Sequence, residues 1–280
     1  MAMFNFDSET NVINSKIPAL KAINKNFCKK KGAAGLWIAN DSIEGCGWKK
    51  NCDGDCESDC SDHYVNTARH IVQGSEDEIY GRGILNTRML ILRRTKLMRL
   101  TDKYQFAGFW VKGDGEFKDD SGKKKYTCAR RYLVVFVDEE NKPLHTEPIQ
   151  LTAKGTFMVN FDEEYMKFRT DISKAYSKSM KRRFSTMNDL WYAMCVFVPT
   201  FESKLVGKTG FQSYACAVKS YEMPTEDNWL TMCVGRNPTV NEFVNLAFID
   251  SEKWLNKFEK SMSSDDFNDT ASIFSSGSNN

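Results

Sequence analysis

Arg130-Arg131-Tyr132-Leu133-Val134-Val135-Phe136-Val137, followed by Asp138-Glu139-Glu140-Asn141-Lys142-Pro143 and then Leu144 to Leu151, decides the fold. Two β-rich runs flank a polar connection, which is the pattern of a hairpin. Leu133 to Val137 is apolar at every position, so both faces of that strand need cover. Acidic residues, Asn and Pro fill the connection, where exposure and special φ values are expected. The second run continues into Thr152-Ala153-Lys154-Gly155-Thr156-Phe157, where Gly155 permits a bulge or sharp bend. The core is therefore a sheet.

Outward from this hairpin, Gly35-Leu36-Trp37-Ile38-Ala39 reads as a first strand, and Tyr64 to Val72 as another. Gly83 to Leu100 is a second strong apolar run, centred on Met89-Leu90-Ile91-Leu92. Asp162 is expected to open a helix by accepting free backbone N–H groups. Tyr165, Phe168, Ile172 and Tyr176 give that helix one apolar face. Leu190 to Val198 reads as a covered strand ended by Pro199, Phe211 to Tyr221 as a strand, and Leu230 to Val234 as a shorter one. Helices are expected around Val240 to Phe248 and at Trp254, Leu255 and Phe258. The sum is an α+β fold: a curved, mainly antiparallel sheet or OB-like barrel with two or three helices and a disordered C-terminal tail. The boundaries expected are an N-terminal arm over 1–30, one α+β domain over 31–260 with a cysteine-rich insertion at 45–63, and a tail over 261–280.

The 280 residues, 41% of them hydrophobic, are enough for one large or two small domains. The net charge is +2, so a nucleic-acid surface has to be a local patch. No apolar run approaches the roughly 20 residues of a membrane helix. The start, Met1-Ala2-Met3-Phe4, lacks the pattern of a signal peptide, and a cytoplasmic location without membrane contact is expected. Nine cysteines are many for such a chain, and the odd count argues against full disulfide pairing.

Cys46, Cys52, Cys56, Cys60 and His63 fall within 18 residues, enough donors for a structural, tetrahedral zinc site. The spacing is not that of paired C-x2-C knuckles, and a loop of reduced or pairwise-oxidised thiols is the competing reading. Catalytic zinc is not expected, since no Glu-containing helix motif accompanies the ligands.

The basic residues form the other candidate. Arg88, Arg93, Arg94, Lys96 and Arg99 lie on one run, and Lys123, Lys124, Lys125, Arg130 and Arg131 lead into the central hairpin. Tyr104, Phe106, Phe109, Trp110, Phe117, Tyr126 and Tyr132 are interleaved with them. Single-stranded nucleic acid calls for that combination, cations for phosphates and flat rings for unstacked bases. The site expected on this reading has Arg88, Arg93, Arg94, Lys124, Arg130 and Arg131 on phosphate, with Tyr104, Trp110 and Tyr126 stacking on bases. The competing reading is that the cations are solvated and the rings belong to the core. His63, His70 and His145 have no nucleophile motif beside them, and His145 is expected as an exposed sheet residue. No catalytic residues are assigned.

The stretch from Gly83 to Phe168 resembles a family of uncharacterised proteins found mainly in cyanobacterial genomes and plasmids. The resemblance lies in Arg88-Met89-Leu90-Ile91-Leu92-Arg93-Arg94-Thr95, Arg131-Tyr132-Leu133-Val134, Asn141-Lys142-Pro143-Leu144-His145 and Gln150 to Phe157. It implies a bacterial, mobile-element setting and supplies no activity. Ser264 to Phe274 resembles the acidic tip with which bacterial single-strand-binding proteins recruit partner proteins. The function expected is non-enzymatic binding of single-stranded nucleic acid. The alternative is a structural protein that self-assembles as a homo-oligomer through sheet edges and the N-terminal arm.

Overall fold

The computed structural model describes residues 17–48, 67–73, 78–101, 105–110 and 126–273. The strands are β1 (Ala19–Ile23), β2 (Gly35–Ala39), β3 (Thr67–Gln73), β4 (Glu78–Ile84), β5 (Met89–Arg94), β6 (Met98–Leu100), β7 (Phe106–Phe109), β8 (Thr127–Phe136), β9 (Ile149–Lys154), β10 (Val196–Phe197), β11 (Pro199–Val206) and β12 (Ser213–Tyr221). The helices are α1 (Asn40–Gly45), α2 (Gly155–Ser179), α3 (Asp189–Ala193) and α4 (Pro238–Ile273). The main sheet curls into a half-barrel in the order β10-β5-β8-β9-β1-β2-β4-β3, with β6 and β7 attached at the start of β8. All pairs are antiparallel except β1 with β9. The α+β class and the β8–β9 hairpin are as expected. Residues 19–23, expected in an arm, form a strand in the sheet interior, because Leu20 is an apolar anchor buried between β9 and β2.

β8 is the wall between two cores, which explains its unbroken apolar run. Tyr132, Val134 and Phe136 point into the larger core under α2, and Leu133, Val135 and Val137 into the smaller core under α4. Each large side chain so buried contributes about 1.5–3 kcal/mol. α2 presents Phe157, Phe161, Tyr165, Phe168 and Ile172 to the first core at helical spacing. α4 presents Val240, Val244, Ala247 and Trp254 to the second. The β11–β12 hairpin closes the first core with Cys216 and Val218. Its backbone is held by side-chain amides: Cys216 N–H donates to Asn24 Oδ1 (3.0 Å) and Val218 N–H to Asn160 Oδ1 (2.6 Å).

Several local expectations are corrected. α2 starts at Gly155, directly off β9, because Gly155 takes φ +54 and turns the chain there. Asp162 therefore lies two turns inside the helix and is not its cap. Leu190 to Val198 is a short helix followed by the two residues of β10, not a strand. Asn188 Oδ1 caps that helix by accepting the Trp191 N–H at 2.8 Å. Residues 230–234 form a turn leading into a 3-10 segment, Val234–Arg236. One helix, α4, stands in place of the two expected around Val240 to Phe248 and at Trp254 to Phe258.

Candidate nucleic-acid interface

A bulge places the key arginines. β5 pairs with β8 in register up to Ile91 with Val134, then slips so that Arg93 stands opposite Leu133. Leu92 and Arg93 consequently share the α4 side, and Arg94 returns to the α2 side. Arg93 lies flat over Phe248, 3.4 Å from the ring centre, and donates to Ser251 Oγ and Phe248 O, both at 3.1 Å. Burial pulls its pKa below the usual arginine value. Arg94 reaches down to α2 and donates to Asp162 Oδ1 at 2.7 Å.

The same Asp162 oxygen takes the Tyr132 hydroxyl at 2.9 Å and lies 3.4 Å from Arg130 Nε. One carboxylate thus gathers two guanidinium groups and a phenol. Burial, and then the Asp162 charge and hydrogen bond, hold the Tyr132 hydroxyl well above its ordinary pKa. Arg130 also donates to Thr95 O at 2.7 Å. That bond and the Thr95–Arg131 backbone pairing carry the chain past the end of β5.

β10 covers β5 only at Met89 and Leu90, so the far end of β5 forms an open sheet edge between the two helical layers. A cleft of about 210 Å³ lies there, lined by Arg93, Arg94, Lys96 and Arg130 from the sheet side. Tyr165 and Arg169 of α2, Asp189 of α3 and Leu255 of α4 complete it. Arg169 donates to Asp189 at 2.8 Å and stacks on Tyr192, 3.8 Å from the ring centre. The Lys96 ammonium is 5.7 Å from the Phe109 ring centre. Five cationic side chains and one carboxylate, Asp189, thus line the cleft, and Asp162 pairs with two of the five, Arg94 and Arg130. A guanidinium carries five N–H donors. Among the described residues, Arg94 and Arg169 each hydrogen-bond one carboxylate oxygen, and Arg130 donates to one carbonyl besides pairing with Asp162. Donor capacity for an anion remains.

Of the residues expected at a nucleic-acid site, Arg93, Arg94 and Arg130 meet in this cleft. Arg88 does not: it sits at the other end of β5, bonded to Asp138 O, Asn141 Oδ1 and Glu222. Arg131 faces the opposite side of β8 from Arg130, half-buried beside Phe258, 4.9 Å from its ring centre. Strand alternation separates these two neighbours. Trp110 is 36% exposed, and its N–H donates to Leu97 O, one residue beyond Lys96. Tyr126 lies 5.7 Å from the Arg99 guanidinium. Tyr132 is core. Tyr104 and Lys124 lie outside the described residues. Lys96, Arg169 and Asp189 were not in the contact set expected from the sequence. Lys96 stood in the same basic run, whereas Arg169 and Asp189 come from other segments of the chain.

Cys52, Cys56, Cys60 and His63 also lie outside the described residues. Cys46 is fully buried in the larger core, and its Sγ donates to Ile43 O at 3.2 Å. Burial pushes its thiol up to about 12. Among the described residues, no group of three or more His, Cys, Asp or Glu is placed to hold a metal. His145 is not exposed. It is buried 9 residues from Phe136, whose N–H it accepts, and burial lowers its pKa to about 4. No helix among the described residues is long and apolar enough to cross a membrane.

A family model described as Domain of unknown function (DUF5895) matches residues 14–266. The chain is 41% identical over 275 residues to Uncharacterized protein 254L of Invertebrate iridescent virus 6, covering 93% of this chain and 82% of that protein. That relative is viral, so the cyanobacterial setting expected from the sequence is not supported by it. No solved structure matches.

Proposed function

The chain belongs to the DUF5895 family, and from that premise we propose that it is a non-enzymatic binder of single-stranded nucleic acid whose phosphates enter the cleft at the β5 edge. The observation that carries this reading is the convergence of Arg93, Arg94, Lys96, Arg130 and Arg169 on one solvent-open cleft with a single lining carboxylate. The volume supports a phosphate over a whole cofactor: about 210 Å³ is below the roughly 300–1,000 Å³ of small-molecule sites. Trp110, 36% exposed and tied to the residue after Lys96 by its backbone N–H to Leu97 O, is the ring proposed to stack on an unstacked base. Arg88 and Arg131 drop out of the proposed contact set, being committed elsewhere.

Salt titration of oligonucleotide binding tests this. Each phosphate neutralised on a single strand contributes a slope of about −0.7 in log K against log salt. Lys96→Glu should weaken binding and flatten that slope, while Arg88→Ala should leave the slope unchanged. Absence of binding at about 50 mM salt, where such contacts are strongest, rejects the reading.

A second reading, self-assembly, is favoured by the β11–β12 hairpin. Phe211 at its tip is 88% exposed, with Leu205 and Tyr214 nearby in the strands also exposed. Its occupant would be a second copy of the chain. Sedimentation of the full chain and of Phe211→Ser tests it: a concentration-independent monomer rejects it.

A further inference from the structure

Cys195 and Cys233 face each other across an isolated antiparallel bridge. The bonds on either side are Val196 N–H to Met232 O (2.7 Å) and Val234 N–H to Met194 O (2.9 Å). This makes the cysteines a non-hydrogen-bonded pair, the position where Cα atoms lie about 4.5 Å apart and side chains approach most closely. That separation falls inside the window of about 4.4–6.8 Å for a disulfide. Both are thiols in this structure. We propose that Cys195 and Cys233 are an oxidation site, a dithiol that peroxide converts to a cross-strand disulfide joining the end of α3 to the approach to α4.

The surroundings divide the labour between the two sulfurs. Cys195 is fully buried, and its one thiol proton has two acceptors, Trp191 O at 3.3 Å and the Cys233 sulfur. Cys233 is only partly buried and is reachable by a small oxidant. Donation from Cys195, then from the Gly235 N–H, and the nearby Arg236 charge outweigh its burial and bring its thiol down to about 6. Cys233 is thus the attacking thiolate and Cys195 the resolving thiol. The Cys233 thiolate attacks one peroxide oxygen, the O–O bond breaks, and the departing hydroxide takes a proton to become water. Cys195 Sγ then displaces the hydroxyl of the sulfenic acid, which leaves as a second water with the Cys195 proton. Two thiols and one hydrogen peroxide give one disulfide and two waters.

The test treats the full chain with hydrogen peroxide under native conditions, blocks the remaining thiols and maps the peptides. The expected result is a Cys195–Cys233 linked peptide that dithiothreitol reverses and that raises the thermal midpoint. In Cys195→Ala the link is lost, and a dimedone adduct appears on Cys233. A wild-type map in which both residues remain alkylatable after peroxide, or in which Cys233 is joined to another cysteine, overturns the proposal. The wild-type map decides this even if the variant does not fold.

Discussion

His145 Nε2 accepts the Phe136 N–H at 2.9 Å, while its Nδ1 lies 2.8 Å from Glu147 O. A carbonyl can only accept, so Nδ1 carries the proton and the ring is neutral. The imidazole thus takes the place of a ladder partner at the end of β8 and holds the long connection to β9 against the core. Trp48 packs on the same ring, 5.1 Å between centres.

Acid should undo this arrangement. The unfolded chain protonates His145 near its ordinary 6.5, the folded chain only near about 4. Stability from this group is complete above pH 6.5 and is lost as the pH falls from there to about 4. The difference between those values amounts to about 3 kcal/mol. Urea melts of wild type and His145→Gln at pH 7 and pH 4 should show a smaller acid loss in the variant. Equal losses would remove His145 from the account.

Asp162→Asn should change stability and binding in opposite directions. Asn keeps one acceptor oxygen but removes the charge that Arg94, Arg130 and Tyr132 share, and it brings an NH2 donor beside two guanidinium groups. After discounting for partial exposure, the cost is about 1–3 kcal/mol. The cleft meanwhile becomes more positive, so oligonucleotide affinity should rise severalfold at low salt. Affinity that falls in a folded Asp162→Asn protein would count against phosphate binding in this cleft.

Gly155→Ala should destabilise although open space surrounds the site. A Cβ there meets nothing within 4 Å, yet φ is +54. The left-handed conformation costs a residue with a Cβ about 1–2 kcal/mol. Gly155→Asn should recover part of that loss in the same chemical melts, since Asn tolerates this region.

Trp254→Ala tests whether α4 is integral to the fold. Trp254 is fully buried in the smaller core, and its Nε1–H donates to Gln150 Oε1 at 3.1 Å. Truncation should cost about 3–5 kcal/mol. Hydrogen exchange should show the helix opening ahead of β8. A loss below about 1 kcal/mol would make α4 an appendage.

The sheet was legible because the apolar run Leu133 to Val137 is rich in Val and is followed by a polar turn and a second β-rich run, the pattern of a hairpin. The basic run from Arg88 to Arg99 was visible too, and half of the cleft came from it. The division between Arg130 and Arg131 could have been read from strand alternation alone. Leu190 to Val198 was misread because a short apolar run looks the same in a buried helix and a strand. The Asn188-Asp189 cap in front of it was the signal that could have corrected the reading. Arg169 and Asp189 lie on separate segments, and only the packing of α2 and α3 against β5 brings them to the cleft.

The extra residue at Leu92 sets the handedness of the chemistry on β5. If Leu92 and Arg93 were instead paired one to one with β8, strict alternation would exchange the faces of the two arginines that follow. Arg94 would then turn to the α4 layer and Arg93 to the side of Asp162. A single inserted position thereby decides which helix each cation answers to, and with it where along this margin a negative ligand can be held.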